Sequence, residues 1–219
     1  MLLYSVITLS SYLILSIIIH HYLMPMKKIE YNTYFKPGDT LNSISEGFNQ
    51  TVLSQNGEWL ATHLEMQPHA PGPPEHIHNE FDETFTVKEG VLTILVNGQL
   101  KIVNPGESFS IPKGTPHKPF NESDQIVIVE DAGNGKNLPI KFAYFLKQFY
   151  PFVDRMGNNP NQFSMMMQIS VYGNDVDTWI AGPPIGVQKV LRFVLAPTAR
   201  LIGYKNYFES NTNVSSTGF

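Results

Sequence analysis

Cysteine is absent from the 219 residues, which excludes disulfide staples and thiolate ligation, so any metal must sit on nitrogen and oxygen donors. The lack is compatible with a reducing cytosol. A strong charge imbalance is also missing. The formal net charge of -4 implies no general polyanion partner, and nothing resembles a helix-turn-helix, so a nucleic-acid role is disfavoured. No internal repeat is evident, and the length favours one domain with embellishments over two equal ones.

Charge is missing altogether from Leu2 to Ile19, where the run Leu13 to Ile19 is intensely apolar. The stretch is just long enough to cross a hydrocarbon core of roughly 30 Å. His20, His21 and Tyr22 form an interfacial fringe before Lys27 and Lys28. Read as a transmembrane anchor, residues 1–24 would hold the following domain on the cytoplasmic side by the positive-inside rule. Alternatively translation starts at Met24 or Met26, the leader is never made and the protein is cytoplasmic. A cleaved signal peptide fits poorly, because a basic n-region and a small-residue cleavage site are both lacking.

Beyond this apolar leader the chain is rich in turn chemistry. Residues 25–57 read as a lead-in, with Lys36-Pro37-Gly38-Asp39 and Asn56-Gly57 as turns. Strands are expected over Glu58 to Met66, Glu83 to Lys88, Val91 to Val96, Leu100 to Val103, Ser108 to Ile111 and Gln125 to Glu130. Asn97-Gly98 is the strongest hairpin signal, since both turn positions need positive φ. Many short strands with Gly, Pro and Asn between them argue a sandwich or barrel, not βαβ units. After Lys136 the texture turns helical, with helices expected over Leu138 to Phe152, Phe163 to Val171, and Val187 to Ala196, the last stopped by Pro197 and resumed toward Tyr207. They would pack outside the barrel or across one end. From Val187 to Phe208 there are four cations, Lys189, Arg192, Arg200 and Lys205, which make either a structural cap with solvated charges or a basic surface helix against a membrane. The expected division is therefore 1–24 candidate transmembrane helix, 25–136 β-barrel, 137–209 helical extension and 210–219 flexible tail.

Within the barrel, His76 and His78 stand two apart on an extended segment and project from one face. Glu83 follows after the polar tip Asn79 to Asp82, and His117 comes just after the stiff loop Pro112 to Pro116. Three imidazoles and one carboxylate suit a first-row divalent metal and leave one or two positions for water or substrate. His63 and His69 lack partners at metal spacing, and of the rival carboxylates Glu80 and Asp82 only Asp82 competes with Glu83. Phe85 and Phe109, with Phe120 less surely, would line the interior.

These segments resemble the two motifs of the cupin superfamily. Gly72, His76, His78, Glu83 and Gly90 follow the first motif, with a spacer of three residues between Gly72 and His76 where five is usual. Gly106, Pro112, Gly114, His117 and Asn121 follow the second at every position. The resemblance covers roughly residues 55–132 and implies a mainly β fold, a double-stranded β-helix or jelly roll, here with a C-terminal helical extension and an N-terminal apolar helix. It implies His76, His78, Glu83 and His117 as ligands of one divalent metal, Fe(II) before Mn, Ni or Zn, and a single-domain cupin of the kind that commonly forms homodimers. The function it suggests is a metal-dependent, dioxygenase-like oxidoreductase on a small organic substrate, with Glu83 also a proton acceptor, as in quercetinase-like cupins. A metal-dependent isomerase or decarboxylase and a membrane-tethered binding module for a saccharide or metabolite are the other readings.

Overall fold

Short strands, most of them ended by a turn glycine or a proline, make two antiparallel sheets. The computed structural model describes residues 2–23, 28–156, 161–173 and 176–207. In one sheet β1 (Thr40–Ser43), β2 (Phe48–Asn56), β3 (Trp59–Met66), β10 (Val127–Glu130), β5 (Glu83–Glu89) and β8 (Ser108–Ile111) lie side by side, with β11 (Leu138–Pro139) also on β3. In the other the order is β12 (Trp179–Ile180), β4 (His76–Ile77), β9 (His117–Phe120), β6 (Leu92–Val96) and β7 (Gln99–Val103). The β6–β7 hairpin turns at Asn97 and Gly98, both at positive φ, as that dipeptide requires.

Between the sheets Phe48, Leu64, Met66, Val87, Leu92, Ile94 and Val127 form the barrel core. The same inner face of β2 and β3 runs on past the barrel. There Val52 and Leu60 pack beneath α2 (Ile140–Met156), in a second core that also takes in α3 (Gln162–Ser170) and Ala199 of α4 (Ile185–Leu201). One curved sheet thus carries both cores, and the helices close over one end of the barrel.

The lead-in is itself two strands, β1 and β2. Polar outer-face residues such as Asn49 dilute their apolar pattern, and Gln50, which points inward, donates to Thr62 Oγ1 at 2.7 Å. The last helix does not stop at Pro197 but runs through it to Leu201. Of its cations Lys189 is exposed, but the two arginines are not. Arg192 and Arg200 are buried, and Lys189 and Arg192 both lie over the Trp179 ring.

The membrane expectation fails: among the described residues, no helix is long and apolar enough to cross a bilayer. The N-terminal helix α1 (Leu2–Ile18) ends at 17 residues and passes into a π-helical turn, Ile19–Leu23. It packs against α4, where the Tyr12 hydroxyl donates to the Val194 carbonyl and meets Thr198 Oγ1 at 3.1 Å. Ser16 and Ile19 are buried. The single-pass anchor and the cytoplasmic placement derived from it are therefore withdrawn. Met24, Met26, Lys27, the side chains of His20 and His21, and the tail 210–219 lie outside the described residues.

The shortened motif spacer begins at a glycine for a steric reason. Gly72 has φ +64°, and a Cβ there would sit 1.9 Å from the Pro119 carbonyl oxygen on β9. Gly72→Ala is expected to destabilise the fold by at least about 2 kcal/mol, read as a lower urea midpoint at unchanged slope. A native midpoint would show that the 71–75 segment does not press on β9.

Candidate metal centre

Antiparallel pairing of β4 with β9 sets His76 opposite His117, while His78 lies just beyond β4 and Glu83 opens β5 opposite Ile111. Period-two geometry turns His76 and His78 to the same side. One ligand atom from each of the four residues lies within 4.8 Å of the others, and all three histidines are buried. The structure therefore brings together the full set named from the sequence.

Each imidazole is held by its outer nitrogen. His76 Nδ1 donates to the Pro74 carbonyl at 3.0 Å, His117 Nδ1 to the Thr115 carbonyl at 2.9 Å, and His78 Nδ1 to the Asp177 carbonyl. A carbonyl only accepts, so each Nδ1 must carry hydrogen, and Nε2 is the nitrogen left for the interior. His78 Nε2 is fully buried without a hydrogen-bond partner, 3.8 Å from Glu83 Oε2. An orphaned buried nitrogen is costly, and a divalent cation among three imidazoles and a carboxylate would satisfy it. The donor set fits the metal.

Burial, then the neighbouring His78, pushes His76 down to about 3, and burial also lowers His78, so both are neutral with lone pairs available. Burial alone would raise Glu83. The hydrogen bond from His117 and the nearby imidazoles outweigh it and hold the carboxyl near 2, ionised. His117 Nε2 meets Glu83 Oε2 at 2.7 Å. With Nδ1 already protonated, that bond needs a second proton, and His117 is raised accordingly: burial lowers it, but the Glu83 bond and charge prevail.

The helical extension completes the site. Besides the Asp177 carbonyl on His78, the Asp177 carboxylate accepts from the backbone N–H groups of Asn79 and Glu80 at 2.7 and 2.6 Å and from Trp179 Nε1 at 3.0 Å. Phe81 stacks on the His78 ring at 4.3 Å, and Phe142 of α2 meets its edge at 4.7 Å. The sequence reading missed Asp177 and Phe142 because both act across about 100 and 64 residues of chain, and missed Phe81 because it sits in a polar turn. The one available cue was an aromatic at the centre of that turn.

His76 and Glu83 form part of the wall of a cavity of about 1090 Å³ that continues between the barrel and the helices. Phe85 lines it; Phe109 packs against the barrel core instead, and Phe120 lies beneath Lys118. The cavity also reaches Glu46, buried on the β1–β2 turn and hydrogen-bonded to Tyr150 of α2. Burial pushes Glu46 up to about 7, the Tyr150 bond opposes this, and the Asp154 charge adds to it. The other candidates are engaged elsewhere: His63 with Glu130 and Glu65, His69 with Asp124, and Asp82 with the Lys113 N–H.

Metal entering the cluster must displace the His117–Glu83 proton. Calorimetry in buffers of different ionisation enthalpy should find proton release on metal binding that grows toward one per metal as pH is lowered; zero release throughout would show that His117 carries no second proton. Glu46 gives a separate pH signature. Its folded pKa of about 7 stands above the ordinary 4.5, so its contribution to stability is full below 4.5 and is lost as pH rises through 7. Glu46→Gln should remove about 3 kcal/mol of that pH-dependent loss, leaving a flatter stability profile from pH 5 to 8. An unchanged slope in denaturation series across that range counts against the raised value.

A family model described as "Cupin domain" matches residues 62–131. A protein named "Probable oxidoreductase virH" from Hypocrea virens is 29% identical over 172 residues, covering 70% of this chain and 77% of that protein. "Oxidoreductase iacF" from Pestalotiopsis fici is 27% identical over 132 residues, covering 54% of this chain and 65% of that protein, just under two thirds of its length. Among solved structures, an RmlC-like cupin from Shewanella frigidimarina is 24% identical, with 46% of this chain and 93% of that chain covered and a TM-score of 0.36. Both motifs fall inside the matched segment and the sheets they require surround it, so residues 62–131 carry a cupin domain.

Proposed function

We propose that this protein is a metal-dependent oxidoreductase of the dioxygenase type, acting on an organic substrate held beside the His76–His78–Glu83–His117 cluster. The observation that carries the reading is the orphaned, buried Nε2 of His78, aimed at the other donors where the cluster opens into the cavity. The two curated relatives named oxidoreductases point the same way. Bound there, a divalent metal supplies Lewis acidity and, as iron, one-electron chemistry toward dioxygen.

The chain's own residues have separable tasks. The carbonyls of Pro74, Thr115 and Asp177 hold the three imidazoles with Nε2 inward, as lone pairs on His76 and His78 and, on His117, once the proton shared with Glu83 leaves. Phe81 and Phe142 keep water from the His78 ring. Glu83 is an ionised carboxylate at the cavity wall and is the group to take a proton from an entering substrate hydroxyl. Isomerase or decarboxylase chemistry uses the same donors without oxygen. The tethered binding module loses its main support, since the membrane anchor is withdrawn.

Elemental analysis of natively purified protein should find about one equivalent of iron, and His117→Ala should retain under about a tenth of it with an unchanged circular dichroism spectrum. Nitric oxide added anaerobically to the ferrous protein, in place of dioxygen, should give a high-spin ferrous–nitrosyl resonance. Zinc or nickel in place of iron, with no nitrosyl signal, removes the dioxygenase reading in favour of the oxygen-independent one.

A further inference from the structure

The cavity beside the metal cluster has walls that describe what enters it. On one side stand barrel residues such as Phe85; on the other stand Leu146 and Phe149 of α2, Ile169 of α3 and Leu195 of α4. At about 1090 Å³ it lies just above the range for pockets that take drug-sized ligands, about 300–1,000 Å³. Most of its polar wall groups are already engaged. Gln50 donates to Thr62, and Asn137 accepts from and donates to Thr62. Arg192, the one cation in the described wall, directs its N–H groups to the carbonyls of Gly173, Val176 and Thr178. An anionic ligand therefore finds no free cation, and burying its charge against this wall would be costly.

Away from the metal, the one carboxyl in the described wall is that of Glu46. Its carboxyl lines the cavity, and the Tyr150 hydroxyl on α2 is its hydrogen-bond partner. Neighbouring Asp154 is already saturated by donors from Ser43, Ile44 and Ser45. Two carboxylate oxygens offer about four acceptor sites, so Tyr150 leaves room for a ligand hydroxyl.

We propose that the cavity binds an uncharged, predominantly apolar molecule spanning the barrel and the helical extension, with the Glu46–Tyr150 pair anchoring a hydroxyl at a distance from the metal cluster. This names the substrate class for the oxidoreductase reading and rests on it only for the chemistry. Binding itself needs no metal. Near neutral pH the Glu46 carboxyl populates both protonation states, with Tyr150 and Asp154 as the ionisable groups facing it, so it can accept from or donate to that hydroxyl.

The test is fluorescence titration of the full chain with two probes on one skeleton, neutral N-phenyl-1-naphthylamine and its anionic 8-sulfonate. The neutral probe should bind one to one and at least about tenfold more tightly than the sulfonate, with and without metal. Ile169→Trp and Leu195→Trp should each weaken it at least about tenfold while the protein keeps its metal. The native protein should also prefer 1-naphthol over naphthalene, and Glu46→Leu and Tyr150→Phe should each erase most of that preference. Equal affinity for neutral and sulfonated probes in the native protein, or no naphthol preference, overturns the proposal even if metal binding is normal. Conversely, His117→Ala that loses metal and keeps the probe leaves the two readings separately judged.

Discussion

Three backbone carbonyls, those of Pro74, Thr115 and Asp177, decide what this barrel can hold. Each takes the Nδ1–H of one histidine and leaves Nε2 facing the interior. If the His76 or His78 ring turned over, a hydrogen would point into the cluster in place of a lone pair. Two of the carbonyls lie two residues before their own histidine, on the proline-bearing turns that lead into β4 and β9. There the chain orients its own ligand locally. The third comes from the far side of the molecule, and it ties the barrel to the helices.

That tie explains why the helical extension is integral to the site. β12 pairs with β4, setting Ile180 opposite His76 and Trp179 opposite Ile77, and Arg192 reaches back from α4 to the carbonyls of the 173–178 segment. The Asp177 carboxylate then caps the turn after His78. Phe142, on the helix directly after β11, seals the His78 ring from the other direction. Unfolding the extension would free the His78 ring, open the β4 edge and expose the cavity in one step. The two hydrophobic cores share β2 and β3, so they are mechanically coupled.

The sequence was most legible where function and local geometry coincide. The spaced Gly, His, Glu and Pro residues from 72 to 121 were readable because each is needed for a ligand or for a turn that aims one: Gly72 lets the backbone approach β9, and Asn121 knots the 121–125 turn by bonding Met66, Gln67 and Gln125 carbonyls. The β6–β7 hairpin was readable from two residues. Long-range partnership was not. Asp177 looks like any loop aspartate, and Glu46 like any turn glutamate, until tertiary structure buries them. Cations on α4 misled because charge suggests solvent, whereas carbonyl oxygens and an indole face solvate Arg192 internally. The uncharged N-terminal run misled for the reverse reason. Its composition suits a bilayer, but its helix is short and lies against α4, anchored through Tyr12.

The cavity contains the same side chain in two opposite electrostatic situations. Glu83 has imidazoles around it and a charged hydrogen bond from His117, so its carboxylate persists far below neutral pH. Glu46 is buried, and burial together with the nearby Asp154 charge outweighs the opposing bond from the Tyr150 phenol, so its proton is held until near neutrality. Sites that separate their acid from their base work through such contrasts between environments. Here the contrast is built by different parts of the fold: the barrel strands ionise Glu83, while the β1–β2 turn and α2 keep Glu46 protonated. The apolar wall between them sharpens both effects, because it removes the water that would otherwise level the two groups.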